Sequence, residues 1–368
     1  MNLSARARIC QRCHISRRVR GGHYPERMAT PAQQRLRPTM NDVALAAGVS
    51  LKTVSRVVNG VDYVSADKLD RVTAAIESLG FRRNEFARQL RQGTTATIGL
   101  VLEDVADPFS STLTRAVEEV AMGHNHMLLA SSSSEDAARA RSLIESLDSR
   151  GVGGLIVTPA EGMDAAFLRA QMASGCSLVL VDRPVGGVDA DTVLVDNRGG
   201  ARAGTEHLLR HDHRRIAFLG DDERVYTAAE RLAGYRAALD GAAIDYDDAL
   251  VLMANPAGDS IGAAIDRVLG LAEPPTAILS GNNRWSVRLL RHLRDRPRAS
   301  ALALVGFDDF ELSDVLSPGI TVVAQDPAAM GTLAAELLFR RMAGDASPAQ
   351  RVQLDTTLIQ RGSGERRP

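Results

Sequence analysis

Residues 40–60, with the sequence MNDVALAAGVSLKTVSRVVNG, decide the fold of the first part of the chain. Thr39 and Asp42 have the spacing of a capping box, in which two side chains satisfy backbone N–H groups in the first turn of a helix. This spacing predicts a short helix, and Gly48 predicts its end. The predicted inward face of this helix is Val43, Ala46 and Ala47.

Two further helices are predicted directly afterwards. Ser50 is a favourable N-cap for a helix over residues 51–59, and Ser65 for a third helix that ends at Gly80. Apolar residues recur along both helices at helical spacing. The predicted inward residues are Val54, Val57, Leu69, Val72, Ile76 and Leu79. Three short helices with a tight turn between the first two are typical of a helix-turn-helix domain.

A helix-turn-helix presents the first residues of its second helix to base edges in the major groove of DNA. Lys52 and Arg56 can donate hydrogen bonds to guanine, and Leu51 can contact a thymine methyl group. The other predicted DNA contacts of this region, most of them to phosphate, are Thr39, Ser50, Thr53, Ser55, Asn59 and Ser65. The pattern alone leaves one alternative open, a generic three-helix bundle in which Lys52 and Arg56 are solvated.

Charge is unevenly distributed along the 368 residues, although the net charge is only −1. Residues 1–38 hold nine arginines and one glutamate, a net charge of +8, and residues 39–93 hold eight basic and six acidic residues, a net charge of +2. Residues 94–368 hold 27 arginines and 38 acidic residues, a net charge of −11. A nucleic acid is therefore expected to contact the first part of the chain alone.

Residues 1–37 are predicted to be a disordered basic extension, because they contain Pro25, Pro31 and a Gly21-Gly22 pair and no helical apolar period. Met28 is an alternative start of translation. Residues 10–14, CQRCH, match the pattern of c-type haem attachment. That chemistry requires export, and no export signal is visible, so we expect a coincidence and predict neither cofactor nor metal. No apolar run approaches the length of a membrane helix, and the expected location is the cytoplasm.

From residue 97 onward, short apolar runs alternate with helical stretches, which favours parallel sheets covered on both faces. The predicted strands are 98–102, 127–130, 155–157, 178–181, 216–219, 277–279 and 302–307. The predicted helices are 112–122, 137–147, 201–209, 228–239 and 285–293. This part of the chain is long for one such sheet, so we predict an α/β body of two subdomains.

Residues 40–60 resemble the headpiece of the lactose-repressor (LacI/GalR) family of transcriptional regulators, and the similarity extends over roughly residues 37–361. The segments VDNRGGAR at 195–202, ERLAGY at 230–235 and VGFDD at 305–309 resemble motifs of the same family. The implied domains are a helix-turn-helix headpiece (38–82), a hinge helix and linker (83–96), a periplasmic-binding-protein-like effector and dimerisation domain of parallel sheets (97–361) and a tail (362–368).

The resemblance implies that the hinge becomes helical when two protomers bind operator DNA. Asn84 and Ala87 would then contact DNA, and Leu90 of each protomer would enter a central minor-groove step. Arg83 and Glu85 depart from the family pattern, since proline is usual at the first position and arginine or a neutral residue at the second. The alternative for Leu90 is a packing role in an amphipathic linker.

The resemblance also implies an effector site in the cleft of the body. The effector-binding residues by position are Asp107, Phe109, Asp182, Arg231, Asn282, Trp285, Asp308 and Gln325. Charged and amide groups in one cleft suit a hydroxyl-rich ligand, so the expected effector is a sugar or a polyol, with a purine or another small metabolite as the alternative. No aromatic residue lies between Val251 and Gly262, where sugar-binding members often have one, so Trp285 or Phe109 would stack on the ligand instead.

Together these features predict a homodimeric repressor whose affinity for double-stranded operator DNA depends on a small effector. The helix 330–342, with Leu333, Leu337 and Leu338, is the predicted dimer interface. The chain lacks the Gly-rich, P-loop and nucleophile-elbow motifs of common enzymes, and His211 and His213 are expected to be solvated, so no enzyme is predicted. The alternative function is that of a solute-binding protein of a transport system, without DNA binding.

Overall fold

The computed structural model describes residues 38–58, 64–81, 96–294 and 302–368. The chain divides into two compact units, one up to Asn84 and one from Glu85 to the C-terminus. The first is a three-helix head, and the second is an α/β body. No helix in the described ranges is both long and apolar enough to cross a membrane.

The head contains α1 (Met40–Ala47), α2 (Leu51–Val58) and α3 (Ala66–Leu79). The predicted capping box is present, since the Thr39 N–H donates to Asp42 Oδ2 at 2.7 Å and the Asp42 N–H donates to Thr39 Oγ1 at 3.4 Å. Gly48 ends α1 in the left-handed region at φ 62°, which a glycine adopts without strain.

The N-termini of α2 and α3 differ in their capping. Ser50 Oγ accepts a hydrogen bond from the Thr53 N–H at 3.2 Å, so Ser50 caps α2 as predicted. Ser65 occupies the N-cap position of α3, but its hydroxyl makes no capping hydrogen bond. The predicted capping role of Ser65 is therefore wrong.

The core of the head is a narrow cluster formed by Val43, Ala44, Ala47, Val54, Val72 and Ala75. Two predicted core residues do not belong to it. Ala46 is exposed, because α1 buries the face that carries Ala44, and Leu69 is 45% exposed. Such a small bundle buries only a narrow stripe of each helix. The apolar spacing therefore predicted more core residues than the head contains.

The body contains two six-stranded sheets and eight α-helices within the described residues. Its elements are β1 (Thr97–Leu102), α4 (Pro108–Gly123), β2 (Met127–Ser132), α5 (Ala137–Ser149), β3 (Gly154–Val157), α6 (Ala165–Ala173), β4 (Ser177–Val181), β5 (Asp191–Val195), α7 (Asn197–Arg210), β6 (Ile216–Gly220), α8 (Tyr226–Gly241), β7 (Val251–Met253), α9 (Ile261–Leu269), β8 (Ala277–Ser280), α10 (Asn283–Leu293), β9 (Ala303–Phe307), β10 (Thr321–Ala324), α11 (Pro327–Met342), β11 (Arg351–Leu354) and β12 (Thr357–Ile359).

The two sheets repeat one topology. The strand order is β11-β5-β4-β3-β1-β2 in the first sheet and β12-β10-β9-β8-β6-β7 in the second. All neighbouring strands are parallel except β10 and β12. The chain passes from one sheet to the other after β5, after β10 and between β11 and β12, which defines a first and a second subdomain. The predicted α/β class with two subdomains of parallel sheets is confirmed.

All seven predicted strands and all six predicted helices of the body, including the helix 330–342, are present. The elements that the apolar pattern did not predict are β5, β7, β10, β11, β12, α6 and α9. β5 begins at Asp191, a buried carboxylate that accepts hydrogen bonds from Arg341 at 2.6 and 2.9 Å. β11 lies at a sheet edge and alternates exposed with half-buried residues. A search for apolar runs therefore misses a strand that begins with a charged residue or that lies at the edge of a sheet.

Helix α11 was the predicted dimer interface, and the structure does not support that prediction. Met330, Leu337 and Leu338 are buried in the core of the first subdomain, where α11 packs on α4 and on the sheet. An apolar helical face indicates burial but not whether the covering surface belongs to the same chain.

The last residues of the chain pack on the second subdomain. Ser363 Oγ donates to Leu304 O at 2.6 Å, and His213 Nε2 lies 2.7 Å from Arg366 O. His213 is fully buried, so the prediction of a solvated histidine is wrong at this position. Burial lowers the pKa of His213.

Gly234 lies where α8 crosses α7. A Cβ atom at this position would clash with the carbonyl oxygen of Arg198, which belongs to the backbone and cannot swing aside. We expect Gly234→Ala to lower the free energy of unfolding by about 1–3 kcal/mol, measured by chemical denaturation.

The matched control is Gly241→Ala at the end of the same helix, where no atom lies within 4 Å of the added Cβ. We expect Gly241→Ala to leave stability unchanged or to raise it by about 0.5–1 kcal/mol, because alanine favours the helix. Equal destabilisation by the two substitutions would contradict the close α7–α8 contact.

Candidate functional site

The exposed surface of α2 carries the predicted base-reading residues of the head. Leu51, Lys52 and Arg56 are all exposed, and Lys52 and Arg56 lie one turn apart on the same face. The Thr53 hydroxyl is within 2.9 Å of the Ser50 hydroxyl at the N-terminus of the helix. An apolar side chain and two cations therefore share the surface that a helix-turn-helix presents to the major groove.

Some of the remaining predicted DNA contacts lie in the part of the chain that the structure describes, and others lie outside it. Thr39 and Ser65 are described at the N-termini of α1 and α3, and Ser55 is half-buried on α2. Asn59, Asn84, Ala87 and Leu90 lie outside the described residues, together with most of the predicted hinge. Their DNA contacts stay predictions.

The body contains a cleft between its subdomains, at the carboxyl ends of strands from both sheets. This is the position at which open parallel sheets bind their ligands. The residues that line it are Glu103, Asp107, Phe109, Ser110, Thr158, Asp182, Arg183, Asp221, Thr227, Arg231, Asn282, Asn283, Arg284, Asp308 and Gln325. Seven of the eight predicted effector-binding residues are among them, and Trp285 is the exception.

Asp182 and Asp308 occupy equivalent places in the two subdomains. Asp182 follows β4 and Asp308 follows β9, the corresponding strand of the second sheet. Both have positive φ values, 68° and 66°, which is uncommon for a residue other than glycine. This local backbone strain directs one carboxylate from each subdomain into the cleft.

The guanidinium of Arg231 is held rigidly in the second subdomain. Its Nε donates to Asn197 Oδ1 at 2.7 Å, and its Nη1 donates to the carbonyl oxygen of Gly281 at 2.6 Å. The guanidinium also lies 3.9 Å from the centre of the Phe307 ring and 3.6 Å from Asp308 Oδ2. Arg231 is thereby oriented to donate to a ligand beside Asp308.

Asp308 and Gln325 form a second polar pair in the cleft. Gln325 Nε2 donates to Asp308 Oδ1, while Gln325 Oε1 is buried without a hydrogen-bond partner in the chain. Burial raises the pKa of Asp308, and Arg231 and Gln325 act in the opposite direction. Asp308 Oδ2 and Gln325 Oε1 are the two oxygen atoms of this pair that remain as acceptors for a ligand.

Asn282 lines the cleft but is also used by the fold. Its Oδ1 accepts from the Trp285 N–H at 2.9 Å and caps α10, and its Nδ2 donates to Asp221 Oδ2 at 2.7 Å. A ligand contact at Asn282 therefore shares an amide that already positions α10 and Asp221.

The effector contact predicted for Trp285 is wrong. Trp285 is fully buried in the apolar cluster of the second subdomain, with Leu289, Ile265 and Val322. The first turn of α10 rotates this side chain away from the cleft, whereas Asn282 and Asn283 face it. Among the described lining residues, Phe109 is the one aromatic ring.

Eight lining residues were missed by sequence reasoning, and four of them are charged. Arg183 is buried and forms ion pairs with Glu135 at 2.6 Å, Glu103 at 3.2 Å and Asp182 at 3.3 Å. The other missed lining residues are Glu103, Ser110, Thr158, Asp221, Thr227, Asn283 and Arg284. A polar residue directly after a predicted strand was the signal that could have identified Glu103 and Thr158, whereas the others lie further along the chain or in a helix.

No group of three or more His, Cys, Asp or Glu residues in the described part of the chain is arranged to hold a metal ion. The arrangement in the cleft is instead one of hydrogen-bond donors and acceptors, with carboxylates, guanidiniums and amides from both subdomains. Such a site can bind and orient a polar small molecule.

Comparisons with known proteins agree with this architecture. The model of bacterial regulatory proteins of the lacI family matches residues 39–84, and the model of the periplasmic binding protein-like domain matches residues 205–364. The regulator GalR of Escherichia coli (strain K12) is 33% identical over 327 residues, which cover 88% of this chain and 95% of GalR. PtxS of Pseudomonas plecoglossicida is 32% identical over 338 residues, 91% and 98% of the two chains.

Solved structures show the same similarity. The complex of the transcriptional regulator CelR with cellobiose matches with a TM-score of 0.66 and 30% identity, covering 89% of this chain and 100% of that one. The lac repressor dimer bound to operator and the anti-inducer ONPF matches with a TM-score of 0.78 and 25% identity, covering 89% and 99%. The head, the two-subdomain body and these relatives together establish that the chain belongs to the LacI family of DNA-binding transcriptional regulators.

Proposed function

We propose that this regulator is a repressor that binds its operator as a homodimer and responds to a sugar or polyol in the cleft. The observation that carries the proposal is the cleft itself, which is lined by charged and amide side chains from both subdomains. A ligand that contacts both subdomains changes their relative arrangement, and the free energy of that change is available to bias operator binding.

The chemistry of the cleft supports a hydroxyl-rich ligand. A hydroxyl group donates one hydrogen bond and accepts others, so it can bridge a carboxylate such as Asp308 and a guanidinium such as Arg231. Phe109 is the one aromatic ring among the described lining residues, which favours a sugar over a purine that would stack between two rings. A similar solved structure is a complex with cellobiose, and one relative is the ribose operon repressor of Escherichia coli, 29% identical.

Two heads are needed because operator half-sites are read by two symmetry-related recognition helices. The described head region has few positive charges, so one head alone offers little electrostatic attraction to DNA. We place the interface of the dimer in the first subdomain on α4 and the edge strand β2, where Met122, Met127 and Leu129 are exposed. These side chains replace α11 as the candidate interface.

The proposal keeps the predicted division of the chain into headpiece (38–82), hinge (83–96) and effector domain (97–361). DNA-coupled folding of the hinge would transmit the state of the cleft to the heads, because a short helix is marginal in water without a partner. The regulator would act in the cytoplasm, where its DNA target lies. The relatives are transcriptional regulators, and neither they nor the head support a transport protein or an enzyme.

A thermal-shift screen tests the class of effector. We expect at least one of galactose, ribose and cellobiose to raise the melting temperature, because a ligand that binds the folded state stabilises it according to its affinity. Stabilisation by adenine or guanine instead of any sugar or polyol would contradict the proposed effector class.

Arg56→Ala tests the recognition surface of α2. On DNA fragments selected in vitro by the wild-type protein, we expect a loss of affinity of about tenfold or more in electrophoretic mobility shifts, since one lost base contact of arginine costs about 1–3 kcal/mol. The control is Arg202→Ala on the exposed face of α7, away from the proposed dimer interface, which should bind DNA like the wild type. Unchanged binding by Arg56→Ala would exclude Arg56 from the interface.

Asp308→Asn tests the cleft while it preserves the volume of the side chain. We expect operator binding to persist and affinity for the screened sugar to fall about 10–100-fold in calorimetry, because a hydrogen bond to a charged group is lost. The control is Asp309→Asn, since Asp309 pairs with Arg361 and does not line the cleft. Equal sugar affinity in the two variants would remove Asp308 from the site.

A further inference from the structure

A continuous row of ion pairs crosses the cleft. Arg284 lies between Asp221 and Glu103, with Nη2 3.0 Å from Asp221 Oδ2 and Nη1 2.7 Å from Glu103 Oε1. The second carboxylate oxygen of Glu103 lies 3.2 Å from Arg183, which in turn contacts Glu135 at 2.6 Å. The row therefore runs from the end of β6 in the second subdomain to Glu135, which lies beyond the end of β2 in the first.

The link between Arg284 and Glu103 has no equivalent elsewhere in the described ranges. Arg284 belongs to α10 of the second subdomain, and Glu103 follows β1 of the first. The other ion pairs identified among the described body residues, such as Arg231–Asp308 and Arg341–Asp191, stay within one subdomain. Two longer hydrogen bonds also join the subdomains, from Asn283 Nδ2 to Asp107 Oδ1 at 3.4 Å and from Arg351 Nη2 to the Tyr226 hydroxyl at 3.3 Å.

The environment of Glu103 determines how strongly its ion pair with Arg284 resists separation of the subdomains. Burial raises the pKa of Glu103, and the neighbouring charges of Arg284 and Arg183 oppose that rise. Separation of the subdomains would take Arg284 away and leave Arg183 as the remaining cation beside Glu103. An ionised group that loses one partner in a partly buried site becomes costly, so the pair resists opening.

The planar guanidinium suits this position better than an ammonium group would. Arg284 presents separate nitrogen atoms to two carboxylates, one on each side of the cleft. Asp221 is held in turn by Asn282 Nδ2, and Glu103 by Arg183. Both carboxylates are thus fixed within their own subdomains, and Arg284 spans the distance between them.

We propose that Arg284 is a positioning residue that ties the two subdomains together across the cleft through Glu103. The pair biases the body towards the closed arrangement before any ligand binds, and it thereby lowers the conformational cost that an effector has to meet. The closing bias stands on the ion pair alone, whereas its consequence for the effector rests on the proposed function. Arg284 acts through the position of the subdomains and not through base reading or chemistry.

The test measures the separation of the subdomains directly, without effector or DNA. In a full-length background with Cys10, Cys13 and Cys176 replaced by serine, spin labels are attached through Glu161→Cys and Glu223→Cys. These exposed residues follow β3 and β6, on opposite sides of the cleft. Pulsed double electron–electron resonance then gives the distribution of distances between the labels.

We expect Arg284→Ala and Glu103→Gln each to shift the distribution to longer distances, and the double variant to shift it no further. Arg284→Lys should recover part of the wild-type distribution, because a cation remains. About 1 M NaCl, where the Debye length is about 3 Å, should move the wild type towards the variants and leave Arg284→Ala unchanged.

The matched control is Arg202→Ala, which removes an exposed arginine whose partner Glu206 lies on the same helix. The emission of Trp285, the one tryptophan of the chain, reports whether the apolar core next to Arg284 is intact. Superimposable distributions for the wild type, Arg284→Ala and Glu103→Gln would overturn the proposal, as would an equal shift in Arg202→Ala. Neither result depends on which effector binds, so a failure of the sugar hypothesis is recognised separately.

Discussion

Parallel pairing of strands is the constraint on which the rest of the body depends. When neighbouring strands run in the same direction, their carboxyl ends lie at one edge of the sheet, and so do the residues that follow them. Two such sheets, joined by three crossings of the chain, place these edges on either side of one cleft. The apolar strands account for the stability of each subdomain, while the first polar residue after each strand is free to serve the site. This separation of roles explains why the cleft can be strongly charged although the sheets are almost entirely apolar.

The sequence predicted most of this architecture because local physical rules act strongly in it. The capping box at Thr39 and the apolar runs of the central strands need no distant partner to be recognised. The predictions that were wrong depend instead on contacts between distant parts of the chain. Whether α11 meets its own sheet or a second chain, and whether Trp285 faces the cleft or the core, depends on contacts with residues far away in the sequence. The same applies to Leu69, since a helical stripe does not reveal how much of its length the small bundle covers.

The sequence predicted only part of the candidate site. It identified single residues at family positions but not the ion pairs that connect residues far apart in the chain. Single residues at family positions, such as Arg231 and Asp308, were identified from the resemblance, and the structure brings them together with Gln325. The row of ion pairs through Arg183 and Arg284 was not identified, although its members follow strands and sit beside predicted residues. An ion pair is defined by two positions at once, and a single sequence shows no sign that Glu103 and Arg284 are neighbours. Spacing rules find such pairs within one helix, where they are four residues apart, but not across a cleft.

The repetition of one strand order in both sheets has a consequence for the symmetry of ligand binding. Asp182 and Asp308 follow corresponding strands with the same unusual backbone conformation, and Glu103 and Asp221 follow another corresponding pair. The cleft is therefore lined by two copies of the same structural corner, one from each subdomain, and both copies supply carboxylates. Neither half alone forms a complete binding site. A ligand that contacts both corners at once binds tightly only when the two subdomains are suitably aligned. Its affinity therefore depends on its own chemistry and on the arrangement of the subdomains together.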